Sequence, residues 1–191
     1  MPIKHERADA AHNRAAILAA ASALFDREGV EGVSMHDIAA AAGVGKGTVY
    51  RRFGDRTALI AAVLEPRARA LRDVVESGPP PLGPGGAAAD ALRAYLDALL
   101  DFVWHNRPLI RALENMGPHA YYANEFSQFW IAELTRRLAA TASDVDADYL
   151  AHAVFTTLRA DVIDYLVTAR SMTRDRIRAG LHSLAEAPAT G

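Results

Sequence analysis

The chain has 191 residues, of which 51% are hydrophobic, so it is long enough for a sizeable core in one or two domains. Its formal net charge of −2 excludes a global basic field that would coat nucleic acid. The absence of cysteine excludes disulfides, thiolate metal sites and thiol catalysis. Alanine, leucine and arginine are abundant and long β-branched runs are rare, which predicts an all-α fold.

The first predicted helix runs from Asn13 to Gly29, where glycine ends it. Apolar residues recur along it at the spacing of one helix face. They are Ile17, Leu18, Ala21, Leu24 and Phe25.

Residues 34–56 carry the strongest functional signal. Ser34 is placed to cap a short helix, and Gly43 follows it where the chain must turn through a left-handed conformation. The residues this helix is expected to bury are Met35, Ile38, Ala39 and Ala42. Val49 returns to the same core, and Ala39 is small enough for a second helix to cross closely. This spacing of Ala39, Gly43 and Val49 indicates a helix-turn-helix, whose second helix enters the DNA major groove.

Positive charge is concentrated on the second of these helices and just after it, with only Asp55 opposing it nearby. Such a small patch suits phosphate contacts within a short footprint. The predicted DNA-binding residues are Ser34, His36, Lys46, Gly47, Thr48, Tyr50, Arg51, Arg52 and Arg56. Lys4, Arg7 and Arg14 are additional candidates near the N-terminus, whereas Val49 and Phe53 are expected in the core.

Three runs, Arg14–Phe25, Gly32–Ala39 and Gly47–Leu59, fall in order without insertion and closely resemble the DNA-binding domain of the tetracycline-repressor (TetR) family. Two positions depart from the family pattern. Gly45 stands where a serine cap is more usual, and Arg56 replaces the usual lysine while keeping the positive charge. The resemblance implies a three-helix DNA-binding domain over residues 1–54, a ligand-binding and dimerisation body over 55–191, and about nine helices in all.

Prolines and glycines divide the rest of the chain. A helix from Asp55 to about Glu76 contains Pro66, which is expected to kink or break it near Glu65. Residues 77–86 are so rich in proline and glycine that they predict a loop or mobile linker, with a proline-rich recognition segment as the alternative.

Five helices are predicted beyond this loop. The first runs from about Ala88 to His105. The second follows an Asn106 cap, has Pro108 in its first turn and ends at Gly117-Pro118. The other three run from about Ala120 to Thr141, from about Asp146 to Ala169 and from Thr173 to about Ala187.

Aromatic residues are concentrated in this body, where helices that bring bulky rings together can enclose an apolar cavity. Ordinary core packing is the alternative for each of them. The candidate ligand-binding residues are Phe102, Trp104, Phe126, Phe129, Trp130, Phe155 and Arg159. Arg159 and Asp161 lie within apolar faces and need a partner, which is a ligand, another side chain or the opposite subunit. If Arg159 faces the cavity, an anionic group on the ligand is expected.

The predicted helix from Asp146 to Ala169 is apolar over most of its circumference, which indicates that it is covered on two sides. In the TetR family the last two long helices form a four-helix dimer interface with their symmetry mates. We therefore expect a homodimer whose paired recognition helices read a palindromic operator.

The sequence thus predicts a DNA-binding transcriptional regulator, a repressor by its resemblance, that a small and largely apolar ligand releases from double-stranded DNA. The alternative is a regulator whose body only dimerises or binds a protein partner. No catalytic motif, cofactor motif or metal-ligand spacing is found in the sequence, so we expect neither an enzyme nor a metalloprotein. The sequence has no apolar run long enough to cross a membrane and no signal-peptide core, which predicts a cytoplasmic protein.

Overall fold

A computed structural model describes residues 3–114, 119–141 and 145–186, and all regular structure within these ranges is helical. The all-α prediction is therefore confirmed, with ten helices in the described residues instead of about nine. The helices are α1 (Ile3–Glu28), α2 (Met35–Ala41), α3 (Lys46–Phe53), α4 (Arg56–Ser77), α5 (Ala88–Glu114), α6 (Ala120–Ala123), α7 (Glu125–Thr141), α8 (Ala147–Thr157), α9 (Ala160–Thr168) and α10 (Arg174–Glu186). None of the helices in these ranges is long and apolar enough to span a membrane.

The chain divides into two compact units, Met1–Pro66 and Arg67–Gly191, with the division inside α4. In the first unit, α1 begins earlier than predicted and ends at Glu28, just before Gly29, whose φ of +78° suits a glycine. The core of this unit is built by α1 to α3 and the first turns of α4. Its most buried side chains are Ile17, Ala21, Ile38, Val49, Leu59 and Ile60.

In the second unit α5 is the central helix, and α7, α9 and α10 pack against it while α8 packs against α7. Its fully buried side chains include Leu92, Tyr95, Leu96, Leu100, Leu134, Leu138, Leu158 and Ile163.

Both prolines lie inside continuous helices. α4 runs through Pro66, so it is not broken near Glu65. α5 runs through Pro108, so the predicted boundary between two helices at Asn106 is wrong. Asn106 is not a cap: it is 5% exposed, and its Nδ2 donates to the carbonyl of Phe102 2.8 Å away, one turn earlier in the same helix. Gly117-Pro118, the predicted end of that helix, lies outside the described residues.

Two helices predicted as continuous are each divided. Between α6 and α7, Asn124 is extended, and its Oδ1 accepts from the amide of Ser127 at 2.9 Å and caps α7. Between α8 and α9 the chain leaves the helix at Arg159. There Glu114 of α5 accepts from the amides of Ala160 (2.7 Å) and Asp161 (3.2 Å), so a distant carboxylate caps α9.

The proline- and glycine-rich segment between α4 and α5 is a loop, as predicted, but it packs on the body and is not a free linker. Arg137 of α7 donates to the carbonyls of Leu82 (2.6 Å) and Ala91 (2.7 Å). Gly83 is buried, and a Cβ there would lie 1.9 Å from the carbonyl oxygen of Gly78.

Candidate nucleic-acid interface

The turn between α2 and α3 has the predicted geometry. Gly43 has a φ of +65°, its amide donates to Ala40, and the amide of Val44 donates to Ala39 at 3.0 Å. These two bonds end α2 with a Schellman motif, which requires a left-handed residue at the glycine position. Ala42, predicted as core, is only half-buried at this helix end.

The start of α2 is fixed by a reciprocal pair of side-chain bonds. Asp37 accepts from the amide of Ser34 at 2.9 Å and from its hydroxyl at 2.6 Å, while the amide of Asp37 donates back to that hydroxyl. The hydrogen bonds from the Ser34 hydroxyl and backbone hold the pKa of Asp37 below its ordinary value. Ser34, a candidate DNA contact, therefore caps α2. His36, the candidate two residues further on, is exposed.

α3 presents one face to the core and another to solvent. Val49 is fully buried and Phe53 is 9% exposed, as predicted. The residues on the outer face are Lys46, Gly47, Tyr50, Arg51 and Arg52, and Thr48 is half-buried at its edge. The Lys46 ammonium lies 5.7 Å from the centre of the Tyr50 ring, one turn away. The exposed face therefore carries three cations and an aromatic ring within eight residues.

Two other predicted DNA contacts have internal partners. Arg56 donates to the backbone carbonyls of Val30 and Val33, and the guanidinium of Arg14 lies 5.0 Å from the centre of the Phe53 ring. The side chains of Lys4 and Arg7 lie outside the described residues.

The candidate ligand-binding residues of the body form three separate groups of contacts. In the first, Phe102, Phe126 and Phe129 surround Trp130 with ring centres 4.9–6.4 Å apart, and we call these four residues the aromatic cluster. Trp130 is 4% exposed. Arg72 of α4, which the sequence did not single out, lies over the Phe129 ring at 4.6 Å.

The second group contains Phe155 and Arg159. Phe155 stacks on Tyr121 at 5.1 Å, and Arg159 lies 4.9 Å from the same ring. Arg159 makes two bonds of 2.9 Å to Asp161, which hold the pKa of that carboxyl below its ordinary value. The sequence allowed three kinds of partner for Arg159 and Asp161, and in the structure the two side chains pair with each other.

Trp104 stands apart as the third group. Its ring is half-buried between two guanidinium groups, that of Arg107 at 4.3 Å and that of Arg174 at 5.9 Å. An open groove of about 520 Å³ lies elsewhere, between the loop and the first turns of α5. Among its lining residues are Pro80, Pro81, Asp90 and Arg93.

The model of the family described as "bacterial regulatory proteins, tetR family" matches residues 17–63, which contain α2, the turn and α3. Residues 17–63 are a TetR-family domain. A TetR-type match at this position makes residues 17–63 a helix-turn-helix DNA-binding domain.

Curated relatives match a little over half of the chain. An HTH-type transcriptional regulator from a bovine strain of Staphylococcus aureus is 35% identical over 108 residues, which cover 56% of this chain and 57% of that protein. A second one, from S. aureus strain USA300, is 35% identical over 115 residues with the same coverage. The chain thus spans a little over half the length of the curated relatives it matches.

Solved structures share the fold along nearly the whole chain. A Saccharomonospora viridis protein in complex with choline has a TM-score of 0.67 at 21% identity, covering 91% of this chain and 95% of that one. A TetR/AcrR-family regulator from Thermobifida fusca also reaches 0.67, at 17% identity with 91% and 96% covered. The fatty acid degradation regulator FadR from Bacillus halodurans reaches 0.64, at 17% identity with 90% and 93% covered.

Three side chains that make these contacts are not among the residues predicted from the sequence to form a site. Glu114 gives no local signal, because its partners lie 46 and 47 residues further on. Tyr121 belongs to the aromatic-rich segment but touches Arg159 only through the division between α8 and α9. Arg72 sits on the predicted helix before the loop, where nothing local indicates that it covers an aromatic ring.

Proposed function

We propose that this protein is a transcriptional repressor that binds a palindromic operator as a homodimer and is released by a small, largely apolar ligand. The observation that carries the proposal is the outer face of α3, where Lys46, Tyr50 and Arg52 are exposed while Val49 and Phe53 anchor the helix in the core.

The dimensions of α3 support this role. Eight residues at 1.5 Å each make a rod about 12 Å long, which is short enough to enter the major groove and reads only a few base pairs. Two copies related by a two-fold axis double the number of base pairs read, which is why we propose a dimer and a palindrome. Such a regulator must reach the DNA, so we propose that it is cytoplasmic.

The test begins with operator selection by the purified protein from a pool of random duplexes. Replacing Arg52 with alanine should lower operator affinity and reduce the slope of log K against log salt by about 1, because one phosphate contact is lost. Tyr50→Ala should lower affinity for the selected site more than for random duplex. Arg27→Ala is the matched control: this exposed arginine pairs with Glu28 at the end of α1, and its loss should leave the slope unchanged. Failure to enrich any duplex would contradict DNA binding itself.

The aromatic cluster is the proposed ligand site. Arg72 of α4 lies over Phe129 and pairs with Glu125 at 3.2 Å, so a rearrangement of the cluster would be felt by α4. A coupling of about 1–3 kcal/mol would change operator affinity roughly 5- to 150-fold. Because Asp161 already occupies the guanidinium of Arg159, an anionic group on the ligand is not expected.

A body that only dimerises or binds a protein partner is the second candidate, and the burial of Trp130 within three rings favours it, since a filled core has this form. Tryptophan fluorescence separates the two. The compound panel should include choline and long-chain fatty acids, because two proteins of similar fold are a choline complex and a fatty acid degradation regulator. A ligand of the cluster should quench the wild type and the Trp104→Phe variant alike and release the operator. A panel that neither quenches nor releases DNA favours the second candidate.

A further inference from the structure

One side chain joins the first residue of α4 to the turn between α1 and α2. Nη2 of Arg56 donates to the carbonyls of Val30 and of Val33 (3.3 Å), and Nε donates to the carbonyl of Val33 at 3.4 Å. The Arg56 side chain is half-buried, and Val30 and Val33 are 3% and 2% exposed. The guanidinium is therefore bound to two backbone carbonyls of its own domain.

These two carbonyls belong to a segment without regular structure, residues 29–34. A buried carbonyl outside a helix needs a donor, and leaving one unpaired costs about 1–3 kcal/mol. A guanidinium presents several donors in one plane and can serve two acceptors three residues apart. A lysine ammonium is a compact point charge that lacks this fork.

The turn that Arg56 holds leads through α2 to α3. Val33 precedes Ser34, the cap of α2, and α2 packs on α3. We propose that Arg56 is a positioning residue that sets the start of α2, and through it the placement of α3, and that it is not a phosphate ligand. This inference rests on the proposed function for its effect on DNA, whereas the tie itself can be measured without DNA.

The first experiment is hydrogen exchange by mass spectrometry on the full chain without DNA. In Arg56→Ala, and to a lesser degree in Arg56→Lys, amides of residues 29–38 should exchange about tenfold faster, because the turn opens more often. Exchange rates of peptides from α5 should be the same as in the wild type, and Arg52→Ala should show wild-type exchange rates in every peptide. Wild-type exchange of residues 29–38 in Arg56→Ala would overturn the proposal; if that variant does not fold, the same result in Arg56→Lys would do so.

The second experiment measures the salt dependence of binding to the selected operator, or to a random duplex of about three helical turns. Arg56→Ala should bind about tenfold more weakly with an unchanged slope, whereas Arg52→Ala should lose about 1 from the slope. A loss of about 1 from the slope in Arg56→Ala would overturn the proposal, since it marks a phosphate contact. If the wild type binds no duplex, the proposed function fails, and the exchange result still decides whether Arg56 holds the turn.

Discussion

Arg137 shows how much of the body depends on a single buried cation. It is 3% exposed, donates to the carbonyls of Leu82 and Ala91, pairs with Glu133 at 2.9 Å and lies 4.8 Å from the centre of the Tyr95 ring. The groups that compensate its charge are therefore protein groups, and its removal takes a donor from two carbonyls and leaves Glu133 with the exposed Arg136 as its arginine partner.

Arg137→Ala should accordingly lower the free energy of unfolding by about 3–5 kcal/mol, the usual effect of breaking a buried pair. Its neighbour Arg136 pairs with the same Glu133 but is 64% exposed, so Arg136→Ala should cost less than about 1 kcal/mol. Urea denaturation of both variants checks this difference. Equal effects would show that the contacts of Arg137 with the loop contribute little to stability.

At the scale of the element, the division between α8 and α9 depends on Glu114. Its carboxylate, only 2% exposed, accepts from two amides at the start of α9 and lies 3.9 Å from Arg159. Burial raises the pKa of Glu114 above its ordinary value of 4.5, against the opposing effect of the Ala160 amide. Glu114 is thus a capping group that is harder to ionise than an exposed carboxyl.

Glu114→Ala should lower the free energy of unfolding by about 1–3 kcal/mol, since α9 loses its cap and two buried donors lose their acceptor. Glu114→Gln keeps one acceptor and should cost less. Asp146→Ala is the matched control, because Asp146 caps α8 at an exposed position by accepting from Tyr149 at 3.0 Å. Denaturant unfolding of the three variants gives the comparison. A loss in Glu114→Ala no larger than in Asp146→Ala would contradict the role assigned to the buried carboxylate.

The raised pKa of Glu114 also predicts a pH dependence. The folded state holds this proton more tightly than the unfolded state, so the carboxyl favours folding most at low pH, and this contribution is lost as pH rises through the folded pKa. The stability of the wild type relative to Glu114→Gln should therefore decline as pH rises above 4.5 and then level off. Urea unfolding of both proteins at stepped pH measures it, and a difference that grows with pH would contradict the sign.

These elements also show what sequence could and could not predict. Ser34 and Gly43 define α2 through bonds to residues within five positions, so the local sequence pattern was sufficient to predict α2, α3 and the outer face of α3. The start of α9 depends instead on Glu114 of α5, and the packed loop depends on Arg137, 55 residues beyond Leu82. The bonds of Glu114, Arg137 and Arg56 to main-chain atoms leave no periodic signal in the sequence, because any residue supplies a main-chain partner.

At the scale of the whole molecule, α10 is attached to its own body along one side. Ile177, Leu181 and Ala185 are buried, and beside them runs a ladder of charges. Its pairs, each step four residues along α5 and α10, are Arg93 with Glu186, Asp97 with His182 and Arg178, and Asp101 with Arg174. Leu184 is left 40% exposed, and Tyr165 of α9 is 56% exposed, although both are large apolar side chains.

This arrangement changes which substitutions test the proposed dimer. Leu181 is 5% exposed within its own protomer, so Leu181→Glu should destabilise the fold itself. Leu184→Glu and Tyr165→Glu alter exposed positions and should leave the protomer folded while disrupting a proposed interface of about 1,200–2,000 Å². Sedimentation at micromolar concentration should therefore give dimers for the wild type and monomers for these two variants, with helical circular dichroism retained. A wild type that sediments as a monomer would exclude the dimer, and dimers in both variants would place the interface away from Leu184 and Tyr165.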